Sequence, residues 1–258
     1  MDFLNSYYPQ SWSRQRKSAV TIALAMALMV AFLWTLSSLL SFMPAPIGPA
    51  ASQFAEGAKV TVWLTLASGP LGIVIGMLIA LAKLSKLPPL RWFADFYIWV
   101  LRGTPLLVQV MFAYYAFPPS LQLSEFNAAV IALALNVGAY NAEAIRSGIL
   151  AVHKGQTEAA RSLGLSPLQT FFDVVFPQAF RVALPPLVNN VVALLKDSSL
   201  AYVIGVVELS NIANRVRAES FEPIPVFITI AVIYLIMTTI MTQISNAIER
   251  QLDVERHS

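Results

Sequence analysis

The sequence predicts an all-α membrane protein with about six transmembrane helices. Three observations lead to that class. Of 258 residues, 57% are hydrophobic and only 12% charged, with a mean hydropathy of +0.66, whereas a soluble domain is about one-quarter charged. The apolar residues fall into runs long enough to cross ~30 Å of hydrocarbon as helices. The Lys and Arg residues collect at the ends of those runs, with a strong bias to one side.

Residues 1–17 are polar and end in Arg14-Gln15-Arg16-Lys17. The first span follows, from Ser18 to Leu40. A basic start before an oily run also suits a signal peptide, but this run exceeds the ~7–15-residue core of one. We therefore expect a retained helix. Met43 to Pro49 is a loop, and Phe54 to Ala82 is the second span. Gly69-Pro70, Gly72 and Gly76 inside it are tolerated where neighbouring helices pack closely or take up freed backbone groups. A turn carrying Lys83, Lys86, Pro88-Pro89 and Arg91 leads to the third span, Trp92 to Phe117, which Pro105 interrupts. Pro118-Pro119 marks the next turn. Phe126 to Leu150 is the fourth span, Pro185 to Gly205 the fifth and Ile224 to Ile248 the sixth. Val207 to Pro223 is expected to form a short interfacial helix with Leu209, Ile212, Ala213 and Val216 on one face.

Six crossings place the amino end, the 83–91 turn, the 155–177 stretch and the tail on one side. That side collects Arg14, Arg16, Lys17, Lys83, Lys86, Arg91, Lys154, Arg161, Arg250 and Arg256; the other has Lys59 at a margin, Arg215 and Arg217. The positive-inside rule makes the first side cytoplasmic, with both termini there.

Other classes find little support. The chain has no cysteine, so disulfides are excluded. It has no GxxxxGK[ST] loop, HExxH or CxxC motif, and its scattered basic residues argue against nucleic-acid binding. No catalytic or metal-binding residue is expected. His257 sits in the tail and His153 beside a loop, where a solvated residue is the ordinary reading.

The polar stretch from Gly155 to Pro177 carries dense helix punctuation. Thr157 can cap a helix with Glu158 in its first turn, where a carboxylate suits the dipole. Ala159 and Ala160 favour helix and leave room for another surface. Gly164 stands where a glycine C-cap would be. Ser166, Pro167 and Gln169 form a capping-box pattern. Pro177 is expected to break the run at Phe176.

These residues also carry a family resemblance. Glu158-Ala159-Ala160, Gly164 and Val174-x-Phe176-Pro177 resemble the EAA loop of ABC importer permeases, with Val174 for Ile and Phe176 for Leu as departures. Residues 102–109 (RGTPLLVQ), 139–148 (AYNAEAIRSG) and 195–200 (LKDSSL) look like the polar amino-acid branch of that family. The similarity runs from about Gly57 to Ile248. It implies a five-helix type I importer core over 54–258, with the coupling loop at 151–180, and an extra helix within 1–53. It further implies a multi-pass protein of the bacterial inner membrane, with two ABC ATPase subunits holding ATP and Mg. A second permease copy or paralogue, membrane lipid, an extracytoplasmic amino-acid-binding protein and an amino-acid substrate complete the set. Gly155, Thr157, Glu158, Ala159, Ala160, Gly164, Ser166 and Pro177 would form the ATPase-coupling site, with no cofactor bound by this chain itself.

Polar residues also lie well inside three spans. Gln109, Asn136, Glu143, Lys196, Asp197, Ser198 and Ser199 are candidates for a solute passage, whereas Arg102, Gly103 and Pro105 suit a structural break. Reckoned from Pro185, Lys196 falls near mid-bilayer, where a charge costs ~2.5–3.5 kcal/mol and needs a partner. Glu143 and Arg146 are three apart and can pair. For each of these groups an interhelical lock remains the other reading. A stand-alone ion-coupled carrier or channel, or a scaffold without a passage, would share the same hydropathy.

Overall fold

The computed structural model describes residues 13–118 and 120–253. The polar tail 1–12, Pro119, and the last five residues with Arg256 and His257 lie outside the described residues.

The described chain is helical, with no strand. In order it forms α1 (Arg14–Ser41), α2 (Ala51–Leu84), α3 (Pro88–Gly103), α4 (Leu106–Tyr115), α5 (Glu125–Ala151), α6 (Lys154–Ser162), α7 (Pro167–Gln169), α8 (Phe176–Asp197), α9 (Leu209–Ser220) and α10 (Pro223–Asp253). A π-helical turn, Thr170–Val175, precedes α8, and a 3-10 turn, Ser198–Ile204, follows it. Five helical stretches are long and apolar enough to cross a membrane, or six when the bent α3–α4 pair counts as one span.

The third span is therefore not one rod. Thr104 and Pro105 take extended backbone angles, and the pair bends by 108°. The fifth span is longer than its prolines suggested. Pro177, Pro185 and Pro186 all lie within α8, and the helical stretch begins at Pro167. Pro177 does not break the run because the π turn resets the hydrogen-bond register just before it: the Phe176 N–H donates to Phe171 O. Lys196 stands in the last turn of α8, directly ahead of the 3-10 turn that continues the stretch to Ile204.

Two compact units share the chain. The first holds the described residues up to Thr65, Leu123–Ala129, and the chain from Leu195 onward. Its core joins Met29, Leu36 and Leu40 of α1, Phe54 and Ala58 of α2, and Val226, Ile233 and Met237 of α10. Leu209, Ile212, Ala213 and Val216 of α9 are buried in that core, the face the sequence predicted.

The second unit holds Leu66–Gln122 and Val130–Leu194. Ile79 and Ala80 of α2, Ala94 and Ile98 of α3, Ala142 and Ile145 of α5, and Ala183 and Leu187 of α8 form one core. Glycine permits the closest approaches within it. A Cβ on Gly76 would lie 2.5 Å from Asn141 Cβ, and one on Gly148 only 2.6 Å from Ala179 O. Small residues at such crossings let membrane helices pack backbone to backbone.

Candidate functional site

The polar stretch 155–177 folds as a helical corner. After α5, the His153 ring accepts a hydrogen bond from the Gly155 N–H at 3.1 Å and caps α6. Thr157 was the expected cap; it lies one turn inside, because the helix starts earlier, at Lys154 behind the His153 cap. Glu158 and Ala159 are exposed and Ala160 is buried. Gly164 turns the chain at φ +86°, a conformation that costs most other residues ~1–2 kcal/mol. The Ser166–Gln169 capping box is present in both directions, at 3.3 and 2.9 Å. Leu163, Leu168 and Phe172 are 81%, 68% and 56% exposed. These three leave bare apolar surface on an otherwise polar corner.

The elbow between α3 and α4 gathers a second group. Breaking a helix frees carbonyls, and side chains recover them here. Thr104 Oγ1 donates to Val100 O at 2.8 Å. Gln109 Nε2 donates to Leu101 O at 2.8 Å and Thr104 O at 3.1 Å. Asn136 Nδ2 donates to Leu101 O at 3.2 Å and to Gln109 Oε1 at 3.0 Å. The Arg102 guanidinium lies 5.0 Å from the centre of the Tyr140 ring. Gly103 has open space on its Cβ side. Beside the elbow is a cavity of about 460 Å³, whose lining includes Leu101, Phe112, Ile131 and Leu135 together with Thr104 and Gln109.

Glu143 stands in a cluster of four charges. Its Oε1 meets Lys83 Nζ at 2.7 Å and its Oε2 meets Arg146 Nη2 at 2.9 Å. Lys83 also reaches Asp95 Oδ1 at 3.2 Å. The Glu143–Arg146 pair was legible from spacing; Lys83 and Asp95 were not, since folding alone brings them in. Nearby, Asn190 Nδ2 donates to Asn141 Oδ1 at 2.9 Å.

The end of α8 is different. Ser198 is fully buried and donates to Leu195 O at 2.8 Å. Lys196 is exposed, and Asp197 and Ser199 are partly so. Among the described residues Lys196 and Asp197 form no ion pair within 4.0 Å.

Glu208 is a residue that sequence reading passed over. It is fully buried and caps α9, accepting from the Ser210 and Asn211 N–H groups at 2.9 Å each. The Tyr234 hydroxyl donates to it at 3.0 Å, and Thr61 Oγ1 lies 3.5 Å away. Burial pushes its carboxyl up to about 7, against the pull of those donors. The available signal was an acidic residue directly before the apolar face of α9, at the N-cap position.

Known proteins match this architecture closely. Residues 72–254 match the family described as binding-protein-dependent transport system inner membrane component. The L-cystine transport system permease TcyB of Bacillus subtilis is 44% identical over 199 residues, 76% of this chain and 85% of that protein. The glutamine transport system permease GlnP of Escherichia coli is 39% identical over 215 residues, 81% of this chain and 96% of that one. A crystal structure of an amino acid ABC transporter with histidines superposes with a TM-score of 0.73 at 38% identity, covering 78% of this chain and 94% of that chain. The MetNI methionine ABC transporter, at TM-score 0.67 and 19% identity, shares the fold. With its membrane helices, its broken third span and its helical corner, the chain belongs to the binding-protein-dependent transport system inner membrane component family, the permease subunits of ABC transporters.

Proposed function

We propose that this chain is the transmembrane subunit of an importer for polar amino acids, driven by force entering through α6. The observation that carries the reading is the corner itself: a capped helix, a glycine turn and bare Leu163, Leu168 and Phe172. The corner lies on the side richest in Lys and Arg, so it faces the cytoplasm, with both termini. Two ATPase subunits carrying ATP and Mg dock there, and their closure swings the attached spans as rigid bodies. A second copy of the permease completes the pathway, and a binding protein delivers solute from outside. Gly155, Thr157, Glu158, Ala159, Ala160, Gly164, Ser166 and Pro177 form or shape the docking corner. Lys196, Asp197, Ser198 and Ser199 are the pathway residues; of these, Lys196 and Asp197 form no ion pair within 4.0 Å among the described residues. The polar atoms of Gln109 and Asn136 are engaged by the elbow.

The test is uptake by the complete complex in proteoliposomes. Glu158→Lys and Gly164→Asp insert normally but hydrolyse ATP without moving solute. Wild-type uptake by either variant refutes the coupling role. Unchanged uptake kinetics in Asp197→Ala remove that residue from the route.

A further inference from the structure

We propose that Lys83, Asp95, Glu143 and Arg146 form a latch that makes α2, α3 and α5 one lever behind the docking corner, with Glu143 its central positioning residue. This rests on the reading of α6 as the docking helix and adds how its motion spreads.

Both carboxylate oxygens of Glu143 are engaged, one by Lys83 at 2.7 Å and one by Arg146 at 2.9 Å. Lys83 ties the last turn of α2 to α5, and its second contact, Asp95 at 3.2 Å, brings in α3. Two cations and two anions cancel, so the cluster holds no spare charge for a solute. The side chains of Lys83, Glu143 and Arg146 are only 21–28% exposed. Paired charges at that depth are screened far less than surface pairs, and losing one partner leaves the others uncompensated.

The surroundings are stiff. The core of Ile79, Ala94, Ile98, Ala142 and Ile145 packs the same three helices. Gly76 brings α2 against the backbone of α5. Two residues, Val152 and His153, separate α5 from α6, and His153 caps α6. A push on α6 therefore reaches α5 through a short joint, and α5 cannot move without α2 and α3. Discrete packed elements of this kind carry rigid-body switches.

The experiment uses the whole transport complex in proteoliposomes, reading solute moved per ATP hydrolysed. Glu143→Gln and Lys83→Met each lower that ratio at least tenfold and leave the half-saturating solute concentration unchanged. The double variant is no worse than either single one, and Lys83→Arg retains coupling. A rise in half-saturation at an unchanged ratio makes Glu143 a solute contact and overturns the latch. Because the chain contains no cysteine, a second test avoids reliance on loss of function. The Lys83→Cys/Glu143→Cys pair is uncoupled when reduced and regains coupling when a short bifunctional thiol reagent joins it, since the pair stays together through the cycle. Transport that is blocked, or not restored, by the cross-link overturns the proposal. Glu158→Lys run in parallel separates the two readings: uncoupling there with wild-type coupling in Glu143→Gln fails the latch alone, and no uncoupling in either fails the docking corner.

Discussion

Gly148→Ala tests the crossing of α5 and α8. The added methyl would lie 2.6 Å from Ala179 O and 3.0 Å from Ala183 Cβ, where ordinary contacts begin at 3.4 Å. A backbone oxygen cannot rotate away, so the helices must part by about 0.8 Å. Overpacking of that kind costs ~1–3 kcal/mol. Alanine recovers ~0.8–1 kcal/mol through its better helix propensity. The net loss of up to about 2 kcal/mol lowers Tm by up to roughly 8 °C in a chain this size. Gly103→Ala is the control, because nothing lies within 4 Å of its Cβ position; its Tm should equal or exceed wild type. Melting of the detergent-purified protein, followed by the fluorescence of its five tryptophans, measures both. A Gly148→Ala variant as stable as Gly103→Ala would refute the close-crossing argument.

Glu208 sets a pH dependence. Its folded pKa, raised by burial from 4.5 to about 7, means that the folded state holds a proton the unfolded state releases. The associated stability, roughly 2–4 kcal/mol at ~1.4 kcal/mol per unit, is present in full below pH ~4.5 and is lost as pH rises through about 7. Glu208→Gln should flatten the fall in Tm between pH 5 and 8; parallel curves for variant and wild type would disprove it. At the elbow, Gln109→Leu leaves Thr104 O without its side-chain donor and should cost ~1–3 kcal/mol. Gln109→Glu should cost more at pH 8, because it aims a carboxylate at two carbonyl oxygens. Tm values for the two variants in the reverse order would argue against the hydrogen-bond account.

Features set by neighbouring residues were legible in the sequence. The Ser166–Gln169 box, the left-handed Gly164, the Glu143–Arg146 pair and the buried face of α9 all depend on spacings of four residues or fewer. What depended on distant partners was not. Asp95 looked like one more residue of an apolar span until α3 set it beside Lys83. Gln109 and Asn136 were passage candidates by residue type; their hydrogen bonds to the carbonyls of Leu101 and Thr104 leave no mark in sequence. The prolines misled for a related reason. Pro177, Pro185 and Pro186 are helix breakers by local rule, yet the register change ahead of Pro177 and the surrounding packing carry the helix through them. Thr157 lost its expected role to His153, whose ring is an uncommon cap.

The wide turn from Thr170 to Val175 holds one residue more than an α-helical turn would for the same advance. Losing any one residue there would tighten it into ordinary helix and leave every side chain beyond Phe176 aimed as it is now. The same loss elsewhere in α8 would swing the remainder through about 100°. Just behind its helical corner, the chain thus has a place where its length can change without re-aiming the span that follows.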